Sequence, residues 1–426
     1  MEVDEGLFRK LRAALESREQ RRIRRRLPDV IDGTPLVDFN TNDYLSLTSS
    51  RALQELLIQK LHHAPNILGS GGSRLLVNGA AHSALEVRLA RFFASPAALL
   101  FNSGFDANVG IFSCVPQQGD VVIYDEFIHA SVHDGIRASR VRDSSLAFAH
   151  NDVASFRATL TQVLDASSRL RIGENNIFVA VESLYSMDGT FAPLREISAL
   201  LEELLPRKNG HLIVDEAHST GVYGPRGCGR VALLGLESKV LVRLHTFGKA
   251  LGASGAVVLT NTLIRDYLLN YARSLIYTTS LSYATVVAID CSFDMLEDGV
   301  AQQLAIRVLE LSRYFVCRLR PRLARIPPKL LSLPHHLDFI GDDAPLDGVA
   351  PIIPVMTSQP RPLSAHLLSL GMNARPITWP TVPKGKDRVR VCLHAGNTRK
   401  EVDRFVDAMT FWTQEFCTEH TVKSNL

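Results

Sequence analysis

From about residue 70 onward, short apolar runs alternate with stretches whose apolar residues recur at helical spacing. Residues 96–101, 121–124, 177–182, 211–214, 240–244 and 255–259 are β-rich and almost continuously apolar. Runs of that kind suit strands covered by helices on both faces. Between them, residues 82–93 and 194–205 carry the helical period. Strand and helix in alternation predict an α/β fold with a mostly parallel sheet. Ahead of it, residues 1–30 place apolar and basic positions at helical spacing, as in an amphipathic arm. A turn at Asp32-Gly33-Thr34-Pro35, a short strand over 36–39 and a polar turn over 40–43 follow. From about residue 292 the character changes to a helix reaching Leu323, then Pro-punctuated strands around 352–356 and 388–394. The expected organisation is an arm (1–52), a large domain (53–291) and a smaller α+β domain (292–426). The Pro- and Gly-rich stretch 375–385 reads as a loop, a place where substrate contacts often sit.

At 426 residues the chain has room for one large domain and a smaller one. Net charge is only +3, which gives no support to a nucleic-acid partner. The one dense basic run, Arg21 to Arg26, reads equally as a solvated helix end, an oligomer contact or a substrate contact. Six cysteines are scattered without paired spacing, indicating neither a disulfide framework nor a zinc site. No stretch of 18 apolar residues exists, so no membrane span is expected. Glu2, Asp4 and Glu5 and the lack of an apolar segment argue against a secretory or mitochondrial leader. The ending Ser424-Asn425-Leu426 departs from a peroxisomal Ser-Lys-Leu address in its middle residue. A cytoplasmic protein is expected, with the peroxisome as the alternative.

Asp215 directly follows the apolar run Leu212-Ile213-Val214, at the carboxyl end of a predicted parallel strand, where open α/β sheets bind ligands. Lys249 follows one strand later among Gly248, Ala250, Gly252, Ala253 and Gly255. A buried acid and a lysine in such a turn are what pyridoxal phosphate (PLP) chemistry requires. The acid keeps the pyridine nitrogen protonated, and the amine forms the Schiff base that holds the aldehyde. Tight packing is the plain alternative for the small residues around Lys249. Asp215-Glu-Ala-His218 also spells the box of RNA helicases, but that function needs an upstream phosphate loop ending in Gly-Lys-Ser/Thr. Gly248-Lys249 lies downstream, precedes Ala250 and has Arg243 where the first glycine belongs. Ser103-Gly104-Phe105 ends a strand and opens a helix, a setting whose free N–H groups bind phosphate. Gly69 to Ser73 could cradle a phosphate or merely turn the chain. His129 and His133 have a spacing that could serve a metal, without a third ligand at suitable distance. A ring stacked on a flat cofactor suits His129 better, so no metal is expected.

In this order the chain closely resembles the α-oxoamine synthase family of PLP enzymes, of aminotransferase fold type I. The segments that carry the resemblance run from about Arg24 to Thr398. They include Asn42-Asp-Tyr-Leu45, Gly69-Ser-Gly-Gly-Ser73, Ser103-Gly-Phe105, His129-Ala-Ser131, Glu182 to Gly189, Asp215-Glu-Ala-His218, Thr246-Phe-Gly-Lys249 and Pro380-Thr-Val-Pro383. The nearest likeness is to the biotin-pathway branch, in a form similar to fungal sequences. The resemblance implies that Lys249 carries PLP, Asp215 pairs its pyridine nitrogen, His129 stacks on the ring and His218 bonds its oxygen. Ser186, Gly104, Phe105 and Thr246 would complete the cofactor site. Arg24 and Thr381 match substrate-contacting residues, and Arg390 the arginine that grips the amino-acid carboxylate. Between Arg375 and Thr381 the chain is longer than the bacterial form, which puts the acyl contacts of Thr381 in question.

The implied reaction is a decarboxylative condensation in a homodimer. Lys249 takes the α-proton of an amino acid (L-alanine in the biotin branch), the α-carbon attacks an acyl-CoA (pimeloyl-CoA), and CoA and carbon dioxide leave. Alternatives within the family are glycine C-acetyltransferase, 5-aminolevulinate synthase, serine palmitoyltransferase and polyketide-associated members. An inactive partner subunit is the alternative of another kind, and the presence of Lys249, Asp215, His129 and His218 argues against it.

Overall fold

The computed structural model describes residues 5–21, 23–27 and 36–424. The turn expected at Asp32-Gly33-Thr34-Pro35 lies outside that set, as do Glu2, Asp4, Arg22, Asn425 and Leu426. Helix α1 (Glu5–Gln20) forms the predicted arm, with Leu7, Phe8, Leu11 and Leu15 exposed along it. Strand β1 (Val37–Asp38) follows, and then a helical segment with α2 (Arg51–His63) and α3 (Ala80–Phe92).

The central sheet holds β2 (Ala97–Phe101), β3 (Val121–Asp125), β4 (Ser145–Phe148), β5 (Ile177–Glu182), β6 (Gly210–Asp215), β7 (Val240–Thr246) and β8 (Ala256–Thr260). Their order is β2-β8-β7-β6-β5-β3-β4. Strands β3 to β7 pair in parallel, and β8 runs antiparallel to both of its neighbours. The sheet is mostly parallel, as predicted. Every position of β2, β5 and β8 is buried. Along β5 and β6, Val179, Val181, Leu212 and Val214 join the apolar layer on one face. Phe178, Ala180 and Ile213 join the layer on the other. Burying such side chains stabilises the sheet by roughly 1.5–3 kcal/mol each, which is why the runs lack polar alternation. Helices α4 (Gly104–Cys114) and α5 (Ala130–Arg137) cover the second of these faces.

A three-stranded antiparallel sheet follows late in the chain. It orders β11 (Arg375–Ile377), β12 (Arg388–Cys392) and β9 (Ile352–Met356) as β11-β12-β9. Strand β10 (Met372–Asn373) pairs in parallel with β1 and ties residues 37–38 to this part of the molecule.

Three expectations need correction. The helix expected from 292 to 323 is two helices, Tyr283–Glu297 and Val300–Leu323. Gly299 separates them at φ 80°, a left-handed conformation that ends a helix and that glycine adopts without a Cβ penalty. The segment 375–385 is not all loop, since it opens as β11, where Pro376 is tolerated because the strand lies at an edge. Strand β4 escaped prediction because, of its four residues, only Phe148 is buried.

Candidate active site

Strands β5 and β6 end together, with Glu182 opposite Asp215 in register. The turn from β7 into β8 then carries Lys249 over the same sheet edge. Phe247 donates its N–H to the Gly255 carbonyl at 2.9 Å, and Ala253 donates to the Phe247 carbonyl at 2.9 Å. Gly252 donates to the Lys249 carbonyl at 3.0 Å and has φ 62°. A Cβ on Gly252 would come within 3.0 Å of the Thr48 nitrogen. Tight packing is therefore the reason for glycine at 252. Gly248, by contrast, lines an open cavity of about 340 Å3 together with Lys249.

That cavity brings together Lys249, Asp215, His129, His218, Gly104, Phe105 and Thr246. Asp215 is buried, and its carboxylate accepts hydrogen bonds from the Asn108 amide at 2.8 Å and the Ala217 N–H at 2.9 Å. Asn108 also donates to the Ser131 hydroxyl at 3.0 Å, which lies 2.7 Å from His129 Nδ1. One network thus fixes both the acid and the imidazole. His129 and Phe105 meet edge to face, 6.5 Å between ring centres, and both are exposed at the mouth of the cavity. On the inner side, Lys249 Nζ lies 2.9 Å from His218 Nε2, and the Tyr44 hydroxyl lies 2.7 Å from His218 Nδ1.

Helix α4 opens on the cavity. The Ser103 hydroxyl accepts from the Asp106 N–H at 3.0 Å, and Ser103, Gly104 and Phe105, at a helix start whose first N–H groups have no helical partner, line the cavity. A Cβ at Gly104 would collide with Thr246 Cγ2 at 2.5 Å, which fixes glycine where backbone approaches this space.

Burial sets the protonation states. It pulls the Lys249 ammonium below the usual lysine range, against the carboxylates of Asp215 and Glu182, and Arg390 adds to the pull. His218 is held well below the ordinary imidazole value by burial first and then by the charges of Lys249 and Arg390, so its ring is neutral. Larger hollows exist, but they lie away from this chemistry. The one of about 690 Å3 between α2, α3 and the helix Tyr283–Glu297 has its charged lining, Lys60, Arg88 and Asp290, committed to ion pairs.

Four expected site residues are not among those lining the cavity. Ser186 lies on the loop after β5, where its N–H favours the anion of Glu182. Arg390 on β12 reaches the Asn42 side chain and lies 3.1 Å from Cys392 Sγ, while its buried Nε has no partner among the described residues. Arg24 is on the arm, 3.5 Å from the Glu19 carboxylate. Thr381 is exposed and donates its N–H to the Thr378 carbonyl at 3.0 Å.

The chain is 44% identical over 407 residues to the 8-amino-7-oxononanoate synthase of Emericella nidulans, covering 95% of each. It is 40% identical to the aminoacyl transferase sphA of Aspergillus fumigatus, covering 89% of this chain and 81% of the relative. Its fold superposes on the serine palmitoyltransferase of S. paucimobilis, solved with bound PLP, with a TM-score of 0.77 at 24% identity. That match covers 96% of this chain and 98% of the other. The pattern of the aminotransferase class I and II family matches residues 34–409. The chain belongs to this family. Within it the protein is an α-oxoamine synthase, a PLP-dependent acyltransferase of fold type I. The residues present fit the cofactor on their own geometry. A buried carboxylate held by two donors, a depressed lysine amine and a glycine-floored helix start surround one small cavity.

Sequence reasoning passed over Asn108 and gave no role to Tyr44 or Glu182, which entered only inside the segments that carry the resemblance. Asn108 stands one helical turn after Gly104 within an apolar stretch, a position where a buried amide must find a partner. That signal was available. Tyr44 reaches His218 across 174 residues of sequence, and no local pattern reports such a contact.

Proposed function

We propose that this protein condenses L-alanine with pimeloyl-CoA, or a related pimeloyl thioester, to give 8-amino-7-oxononanoate, CoA and carbon dioxide for biotin synthesis. The carrying observation is the depressed amine of Lys249, 2.9 Å from a neutral His218. An amine whose proton is held less tightly there would hold the cofactor's aldehyde and then take the α-proton of the amino acid. Bound PLP supplies an electron sink for the negative charge left on the α-carbon. Asp215 would hold the cofactor's ring nitrogen, with Asn108 and Ala217 fixing the carboxylate. His129 and Phe105 would cover one ring face and shed water from it. The first turn of α4 and Thr246 would lie against the phosphate side, with Ser186 nearby. His218, kept neutral, would hydrogen-bond the ring oxygen while Tyr44 fixes its orientation.

Arg390 would take the substrate carboxylate: its charge is felt by both Lys249 and His218, and its Nε has no partner among the described residues. Arg390→Ala is expected to raise the amino-acid KM about 10- to 100-fold through loss of a charge-assisted bond, with a smaller effect on the thioester. Steady-state kinetics with each substrate varied checks this, and equal damage to both KM values contradicts it. Arg24 and Thr381 remain proposed substrate contacts. The protein is proposed to work as a homodimer, supported by exposed Leu75, Leu76 and Tyr277, side chains a partner would cover.

The choice of substrates rests on likeness to the Emericella nidulans synthase along nearly the whole chain. A second reading, an α-oxoamine synthase with another amino acid or acyl group, draws on the sphA relative and on the long segment from Arg375 to Thr381. CoA release across a panel of amino acids and acyl-CoAs separates them, with rescue of a biotin auxotroph as the cellular check. L-Alanine with pimeloyl-CoA is expected to turn over fastest and the gene to rescue growth. Preference for another pair without rescue moves the protein to another branch.

A further inference from the structure

Glu182 is the one acid of the cavity without a part in the reaction as described. It ends β5, is almost wholly buried and lines the cavity beside Lys249. Its register partner is Asp215 on β6, so the two side chains leave one face of the sheet from backbones roughly 4.8 Å apart. Carboxylates rising from neighbouring positions on one face, out of water, repel, and that favours one of them keeping a proton. The hydrogen bonds decide which. Asp215 accepts from two donors, Asn108 and Ala217, and both favour the anion. For Glu182 the Ser186 N–H is the backbone donor that favours the anion, and it is outweighed by burial and the neighbouring acids.

We propose that Glu182 is a positioning residue that stands in the cavity as a neutral carboxylic acid, leaving Asp215 the sole anion beside Lys249 and so preserving the lysine as a free amine. The groups facing Glu182 agree. Asp215 on β6 and Asp125 at the end of β3 disfavour its anion, while Lys249 from the β7–β8 turn favours it, and burial pushes its carboxyl well above the usual range. An ionised Glu182 would pair with Lys249 as ammonium and remove the nucleophile, because both carboxylates raise the lysine's proton affinity. A neutral acid also offers an O–H donor to a ligand in a cavity where Asp215 offers acceptors.

The inference rests on the PLP chemistry of the family but not on the choice of acyl group, and its test needs neither substrate. In apo-protein, competitive acetylation by acetic anhydride across pH, read by peptide mass spectrometry, gives the midpoint at which the Lys249 amine becomes reactive. Glu182→Gln replaces a neutral acid by a neutral amide and is expected to leave that midpoint unchanged. Asp215→Asn removes the anion and is expected to lower it by about one unit or more. A fall in Glu182→Gln, or no change in Asp215→Asn, overturns the assignment. Infrared spectroscopy of the wild-type apo-protein gives a measurement independent of how the variants fold. A buried protonated carboxyl stretch is expected at neutral pH, and its absence overturns the proposal. If the substrate panel fails while these results hold, the acyl assignment is at fault and the charge pattern stands.

Discussion

Lys249→Ala is expected to reduce turnover by about 10^4-fold or more and to remove the long-wavelength absorbance of the lysine-bound cofactor. In the proposed mechanism two tasks would rest on one amine, covalent retention of PLP and transfer of the α-proton, and among the described residues no other lysine lines the cavity. Lys60, the other partly buried lysine with a shifted pKa, is held by Asp290 and Asp294 and has its amine raised rather than lowered. The substitution also leaves His218 Nε2 without its partner at 2.9 Å, a modest structural cost beside the loss of chemistry. Borohydride reduction of the loaded wild-type protein followed by peptide mapping checks the assignment. The pyridoxyl label is expected on the peptide containing Lys249, and a label on another lysine sinks it.

How much of this site could be read in the sequence depended on where each residue's surroundings come from. Asp215 was legible because an apolar run ends at it, and a residue at the end of such a strand faces the ligand edge, while Lys249 was legible from the small residues of the turn one strand later. His218 was legible as a residue in the same turn as Asp215. Asn108 sits inside a helix, where amphipathic period predicts burial but not the acceptor it reaches, Asp215, in a strand far along the chain. The division of charge between Glu182 and Asp215 is invisible without the register that sets them side by side. Arg24 and Thr381 show the converse. Motif likeness singled them out, yet both sit on exposed segments, bonded to near neighbours in the chain, outside the cavity that holds Lys249. The fold was read more fully, since buried strands announce themselves by composition. The half-exposed edge strand β4 and the glycine break at 299 depend on single residues that a run-based reading averages away.

Asp215→Ala is expected to leave the protein able to bind PLP but to slow α-proton exchange of the amino-acid substrate by about 10^2- to 10^3-fold, the scale of losing a preorganised charge in a water-poor site. In its proposed role the carboxylate would hold a protonated ring nitrogen, and without it the ring would draw little charge from the α-carbon. Its removal also strips the Asn108 amide of one acceptor, but that amide keeps its bond to Ser131 at 3.0 Å, so the link to His129 survives. The loss should therefore fall on chemistry rather than on the fold. A second consequence separates the two. The Asp215 charge is the largest influence holding the Lys249 amine up against burial, so the amine's midpoint should move down in the variant, whereas disorder of the site would let water in and move it up toward the free value. Exchange in deuterated water, followed by proton NMR of the substrate alongside the lysine titration, measures both. Wild-type exchange, or slow exchange with an upward midpoint, removes Asp215 from the role given to it here.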